Sequence, residues 1–209
     1  MKKFILLFLT LCFAVCAFGC DKGKVKNRTF DEAEVLAAAE ALIAKSVLFN
    51  QIYYGAGIPQ KADNPKTVGG YVEADPAFLS EHQISSLESL KAKTAEVYTE
   101  GECAYLFRTV LGVIYDGDTI VGYKRYIEDA GTLYVRSGAE NLLPDDVTYR
   151  YDTLAVSGVE GETIFVSITA TVKTAEGKTQ DNTLRVRLLE EESGFRLDSM
   201  TYSTYYEKQ

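Results

Sequence analysis

The sequence predicts an α+β domain, with N-terminal helices packed on a curved antiparallel sheet. Three observations carry that prediction. Apolar residues recur at a spacing near 3.6 between residues 29 and 111, and past Gly112 the period drops to near 2. Turn dipeptides then punctuate the chain at Asp116-Gly117, Ala130-Gly131, Glu160-Gly161, Glu176-Gly177 and Ser193-Gly194. Helices followed by hairpin-connected strands bury their apolar faces most simply with the long helix laid across one face of the sheet.

The first segment is not part of that domain. Lys2 and Lys3 precede an uncharged apolar run from Phe4 to Phe18, and a polar segment begins directly after Cys20. This is the layout of a secretory signal peptide. The run of about 15 residues falls short of the roughly 20 that cross a bilayer, so a retained membrane helix is the weaker alternative. Ala17 and Gly19 place small residues three and one positions before a cut that would leave Cys20 first. The Gly19-Cys20 junction resembles a bacterial lipoprotein signal, although Ala17 stands where that family usually has Leu and Phe18 is bulky for its slot. The resemblance implies a diacylglycerol thioether on Cys20, usually with a third acyl chain, and attachment to the extracytoplasmic face of the membrane. Two or three chains anchor stably where one does not. Secretion with cleavage at the same bond and no acylation is the alternative. The organisation expected is a signal at 1–19, a lipid-anchored tether at 20–28 and one domain at 29–209.

Of the four cysteines, Cys12 and Cys16 leave with the signal, so Cys20 and Cys103 remain. With Cys20 acylated no intrachain disulfide is possible, and a domain of this length is stabilised by burial alone. Cys103, in Glu-Cys-Ala-Tyr-Leu-Phe, reads as a small buried apolar side chain with no activating partner nearby. The net charge of −8 becomes −10 once the two lysines are removed. That acidity argues against a nucleic-acid partner and favours solubility.

The domain opens on Thr29-Phe30-Asp31-Glu32, a capping box between Thr29 and Glu32. Val35, Leu36, Ala39, Leu42, Ile43 and Val47 then mark one long amphipathic helix, running to about Tyr53 before Gly55 and Gly57. Residues 56–80 contain Pro59, Pro65, Pro76 and Gly69-Gly70 and read as a loop, with a short strand at Tyr71-Val72-Glu73. A second box, Ser85-Ser86-Leu87-Glu88, opens a helix with Leu87, Leu90, Thr94 and Val97 on one face, ending near Gly101. A third helix is expected at 102–111 and the clearest strands at 164–172, 183–189 and 195–202. This order of elements resembles the cystatin-like, NTF2-like superfold, a helix cradled by a bent sheet that often encloses a pocket.

A second likeness is local. The segments Tyr71-Val72-Glu73-Ala74-Asp75, residues 86–99, Gly131-Thr132-Leu133-Tyr134-Val135 and Gly194-Phe195-Arg196-Leu197-Asp198-Ser199 are similar to a family of secreted Gram-positive proteins that includes inhibitors of cell-wall DL-endopeptidases. The likeness implies a peptidoglycan hydrolase as partner.

Catalytic signals are thin. The one histidine, His82, sits in Ser80-Glu81-His82-Gln83 without a Gly-x-Ser-x-Gly elbow or a Cys-His spacing, so no catalytic residue is assigned. One His and one free Cys fall short of a zinc ligand set, and no metal or cofactor is expected. Asp116/Asp118 and Asp145/Asp146 read as turns, lacking the ligand series of a calcium loop, and Glu190-Glu191-Glu192 reads as a hairpin end. A carboxylate pair assembled in space stays open. The chain is rich in Tyr and lacks Trp. Tyr53 and Tyr54 end the long helix beside a glycine loop, where the superfold often opens its pocket, and with Tyr71 they are the candidate binding residues; packing on the sheet is the alternative. A further tyrosine group is Tyr202, Tyr205 and Tyr206.

Two functions follow from these features: a non-catalytic surface lipoprotein that binds an envelope component or protein, modulating a wall hydrolase in one version, and a small-pocket enzyme or small-ligand binder. For the anchor, mass spectrometry of the native N-terminus is expected to find an acylated Cys20. An unmodified Cys20, or a mature start elsewhere, overturns that expectation.

Overall fold

The computed structural model describes residues 30–116, 118–139, 141, 143, 147–173 and 178–201. Cys20 with its signal and tether, Thr29, Asp145, Asp146, Tyr202, Tyr205 and Tyr206 lie outside the described residues. The described chain is α+β: helices and two four-stranded antiparallel sheets share one apolar core.

Helix α1 (Glu32–Tyr53) starts on a different cap from the one expected. Asp31 is the N-cap, its carboxylate accepting from the amides of Ala33 (2.9 Å) and Glu34 (3.4 Å). A charged acceptor facing two free first-turn donors makes a strong cap, and it leaves Glu32 as the first helical residue. The inward face runs through Val35, Ala39, Leu42, Ile43, Ser46, Phe49, Asn50 and Tyr53. Val47, placed on the apolar stripe by its spacing, is exposed instead. Ser46 takes the inward position because its hydroxyl has partners there, Ile43 O at 2.7 Å and Thr201 Oγ1 at 2.9 Å. Asn50 joins the same buried group, donating to Thr201 Oγ1 at 2.7 Å and to the Tyr149 hydroxyl at 3.3 Å. By length and composition α1 would also pass as a membrane span, but its apolar face is occupied by the core.

The loop expected at 56–80 carries more structure than its prolines suggested. Strands β1 (Thr67–Val68) and β2 (Tyr71–Glu73) form a hairpin, and α2 (Pro76–Glu81) follows. Asp75 caps α2 and Pro76 is its first residue, where a missing N–H costs nothing. Helix α3 (Leu87–Ala95) is capped by Ser86, whose partner in the capping box is Ser89 and not Glu88. It stops well before Gly101, because the chain leaves it to pair with the last strand: Leu197 N donates to Val97 O (2.8 Å) and Thr99 N to Leu197 O (2.9 Å). Thr99 then caps α4 (Glu100–Val110), which therefore contains Gly101.

The β half divides into separate sheets where a single meander was expected. Strands β3 (Ile114–Asp116) and β4 (Thr119–Gly122) make a two-stranded ribbon. Strands β5 (Tyr126–Asp129) and β6 (Thr132–Arg136) turn at Ala130-Gly131, both at positive φ (47° and 76°), and join the early hairpin in the order β1-β2-β6-β5. Strands β7 (Val147–Glu160), β8 (Thr163–Lys173), β9 (Thr179–Glu191) and β10 (Gly194–Leu197) form the true meander. The final strand ends at Leu197, short of residue 202. On β8 the residues Ile164, Val166, Ile168, Ala170 and Val172 are buried, alternating with half-buried Ser167, Thr169 and Thr171. Phe165 breaks the rule: it lies on the outer face but is covered by the Arg185 guanidinium, 3.6 Å from its ring centre. Helix α1 packs against β7 and β10.

The C-terminus of α1 is closed by residues far away in sequence. Asn50 and Gln51 carbonyls accept from Tyr54, Gly55 and Gly57 amides, while the Tyr126 hydroxyl donates to Ile52 O and Arg125 donates to Tyr53 O (3.3 Å) and Gly55 O. Gly57 has φ +84°, and a Cβ there would lie 3.0 Å from both Arg125 Nη2 and the Tyr126 hydroxyl. Gly57→Ala is therefore expected to destabilise the domain by about 1–3 kcal/mol, read as a lower urea midpoint at unchanged slope. An unaltered midpoint would show that the loop relaxes freely.

Candidate functional site

The closure of α1 sets out an open cavity beside it. Arg125 N donates to Val110 O (2.9 Å), tying the segment after β4 to the end of α4, and Arg136 N donates to Arg125 O (2.9 Å), tying it to the end of β6. Ser137 N donates to Gly70 O at 3.1 Å, which fixes the turn after β6 against the β1–β2 hairpin. These three ends surround a cavity of about 460 Å³. Tyr53, Tyr54, Thr109 and Val110 form its helical side; Tyr123, Arg125 and Arg136 through Ala139 form the other.

The predicted tyrosines fare differently. Tyr53 is 1% exposed, and its hydroxyl shares a 2.6 Å hydrogen bond with Thr94 Oγ1 inside the core. Burial pushes its pKa well above the ordinary range, so it stays neutral. It contributes to the cavity wall from within. Tyr54, half-buried, lines the cavity directly. Tyr71 is not in the lining; its hydroxyl donates to Lys124 O at 2.8 Å and so braces the segment that carries Tyr123. The structure thus gathers two of the three at the cavity and puts the third behind it.

The residues that sequence reasoning missed are Tyr123 and Arg136. Tyr123 is 53% exposed, and the Arg136 guanidinium stacks on its ring with 3.9 Å to the centroid. A visible signal existed in Gly122-Tyr123-Lys124-Arg125-Tyr126, a basic and aromatic run in an acidic chain. Among the described residues the cavity is lined by no carboxylate, imidazole or thiol, and its formal charges are Arg125 and Arg136.

The groups that could do chemistry lie outside that lining. His82 ends α2 with its ring 4.4 Å from the Phe78 ring. Cys103 is buried, its thiol pushed up to about 11 chiefly by desolvation, and is therefore protonated and inert at neutral pH. No cluster of three or more potential metal ligands occurs among the described residues. Among the described residues, Asp152 and Asp181 share the exposed Arg150, and Glu102 and Asp198 come together at the start of α4. Asp198 accepts from Thr99 Oγ1 (2.9 Å) and from Arg187, while Glu102 is held above the usual carboxylate range by desolvation first and the Asp198 charge second. Neither residue lines the cavity.

No protein-family model matches the chain, and neither a curated protein nor a solved structure matches it significantly.

The Glu102 shift predicts a pH-dependent stability. Because its native pKa is raised, the folded state holds this proton more tightly than the unfolded state, so stability falls as pH climbs through the interval between the two values. The cost is absent below the ordinary carboxylate range and complete above the raised native value. Glu102→Gln is expected to raise Tm at neutral pH, with the gain vanishing at pH 4. A gain that persists at low pH would trace to packing and not to charge.

Proposed function

We propose that this protein is a non-catalytic lipoprotein of the bacterial cell surface, anchored through Cys20, that binds a component of the envelope through its α+β domain. The observation that carries the reading is the cavity between α1 and the turn after β6. It presents tyrosine rings, two guanidinium groups and the hydroxyls of Thr109 and Ser137 and, among the described residues, no carboxylate, imidazole or thiol that would activate them. Such groups hold a ligand by stacking, by hydrogen bonds and by charge, and they move no protons at neutral pH. The long helix laid on the β7–β10 sheet supports assigning the domain to the cystatin-like, NTF2-like superfold. The layout of the Gly19-Cys20 junction supports the anchor. As an enzyme the chain would need a carboxylate or His82 in the cavity, and among the described residues the lining contains neither.

A wall component, or a hydrolase acting on the wall, is the partner that the local likeness to endopeptidase inhibitors favours. The test incubates the purified full chain with insoluble cell wall, alone and with a cell-wall endopeptidase. Co-sedimentation with the wall, or inhibition of the added enzyme, is expected, weakened about fivefold or more by Tyr54→Ala or Tyr123→Ala. Wall cleavage by the chain alone overturns the reading, as does the failure of both binding and inhibition.

A further inference from the structure

The cavity's chemistry defines a ligand class. The guanidinium carbon of Arg136 lies over the Tyr123 ring, 3.9 Å from its centre. Every N–H of a guanidinium lies in its own plane, so stacking on an aromatic face fixes the group's orientation without consuming a donor. Among the described residues Arg136 has no carboxylate partner, whereas Arg125, buried alongside, spends two of its nitrogens on the Tyr53 and Gly55 carbonyls. The site therefore offers one stacked guanidinium edge, with the second arginine committed to the helix end. One fork matches one carboxylate through two parallel hydrogen bonds. A phosphate dianion can use the same fork, but its second charge and third oxygen would go uncompensated by this one cation. The two exposed or half-exposed rings, Tyr54 and Tyr123, border the same space and suit a flat or apolar body. A volume of about 460 Å³ falls in the range of small-molecule clefts.

We infer that the cavity binds a monoanionic, carboxylate-bearing ligand, with the carboxylate on Arg136 and the ligand's flat or apolar portion against Tyr54 and Tyr123. The inference rests on the binding reading above and assigns that site its ligand chemistry. In an envelope the matching chemistry is the free carboxylate of a short peptide or amino-acid derivative.

The test titrates the purified full chain by NMR with three probes: hippurate, which joins a flat ring to a carboxylate; hippuramide, its neutral amide; and phenyl phosphate. Saturable binding of hippurate is expected to shift the Tyr54 and Tyr123 ring signals, with the amide at least tenfold weaker and phenyl phosphate weaker than hippurate. Arg136→Gln is expected to lose at least tenfold in hippurate affinity. Tyr123→Leu, which removes the stacking platform at an exposed position, should lose affinity as well, so the inference stands on two surface variants. Equal affinity for hippurate and its amide, preference for phenyl phosphate, absence of saturable hippurate binding, or undiminished affinity in a folded Arg136→Gln each overturns it. Wall binding that persists alongside any of these results would sink the carboxylate assignment and leave the binding reading standing.

Discussion

The last four carbonyls of an α-helix have no partner within the helix, and each one left buried and unpaired costs about 1–3 kcal/mol. The C-terminus of α1 lies inside the molecule, so all four must be satisfied from elsewhere. Asn50 and Gln51 are served by amides of the turn that follows; Ile52 and Tyr53 are served by Tyr126 and Arg125. The helix supplies no basic residue to its own last turn. A cation 72 residues away in sequence does so instead. Burying a guanidinium is expensive, and what offsets the cost here is the negative end of a 22-residue helix together with two carbonyls that only a fork can reach at once.

This closure also arranges the cavity. Arg125 and Tyr126 are adjacent at the entry to β5, and the Arg125 backbone is bonded to Val110 on one side and to Arg136 on the other. One dipeptide thus sets the distance between the end of α1, the end of α4 and the turn after β6, which are the three walls of the cavity. The two arginines divide the work. Arg125 is consumed in holding the walls; Arg136, one ladder step away, is held by an aromatic ring and keeps its donors. A change at Arg125 would therefore disturb both the fold and the site, while a change at Arg136 would touch the site alone.

Local periodicity made the α+β class, the extent of α1 and the strands β8 to β10 legible in the sequence, because each is written in residues close together. What was not legible depended on contacts between distant residues. The N-cap is Asp31, whose carboxylate accepts from two first-turn amides, where Thr29 was expected, and Val47 gave way to Ser46 because Thr201 waits across the core. Helix α2 was written in Asp75-Pro76, a cap followed by a first-turn proline, yet three prolines nearby made the segment read as loop. The split into two sheets could not be read, since β5 and β6 form a hairpin like those of the meander and only the pairing of β6 with β2 separates them from it. At the site, Tyr53 and Tyr54 were found through the helix end, while Tyr123 and Arg136 were missed because a stack between residues 13 positions apart leaves no local pattern.

The charge of the whole chain bears on how such a site could work. With a net charge of −8, the long-range field opposes the approach of any anion. Whatever selectivity the cavity has must then arise within contact distance, where an oriented guanidinium and two rings act and the screened field of distant carboxylates counts for little. A ligand that offered charge alone would gain only the ion pair with Arg136, against a long-range field that slows its approach. One that carries a flat body as well gains from Tyr54 and Tyr123 at the same moment as from the ion pair, so the acidic surface and the basic, aromatic cavity together favour small amphipathic carboxylates over polyanions.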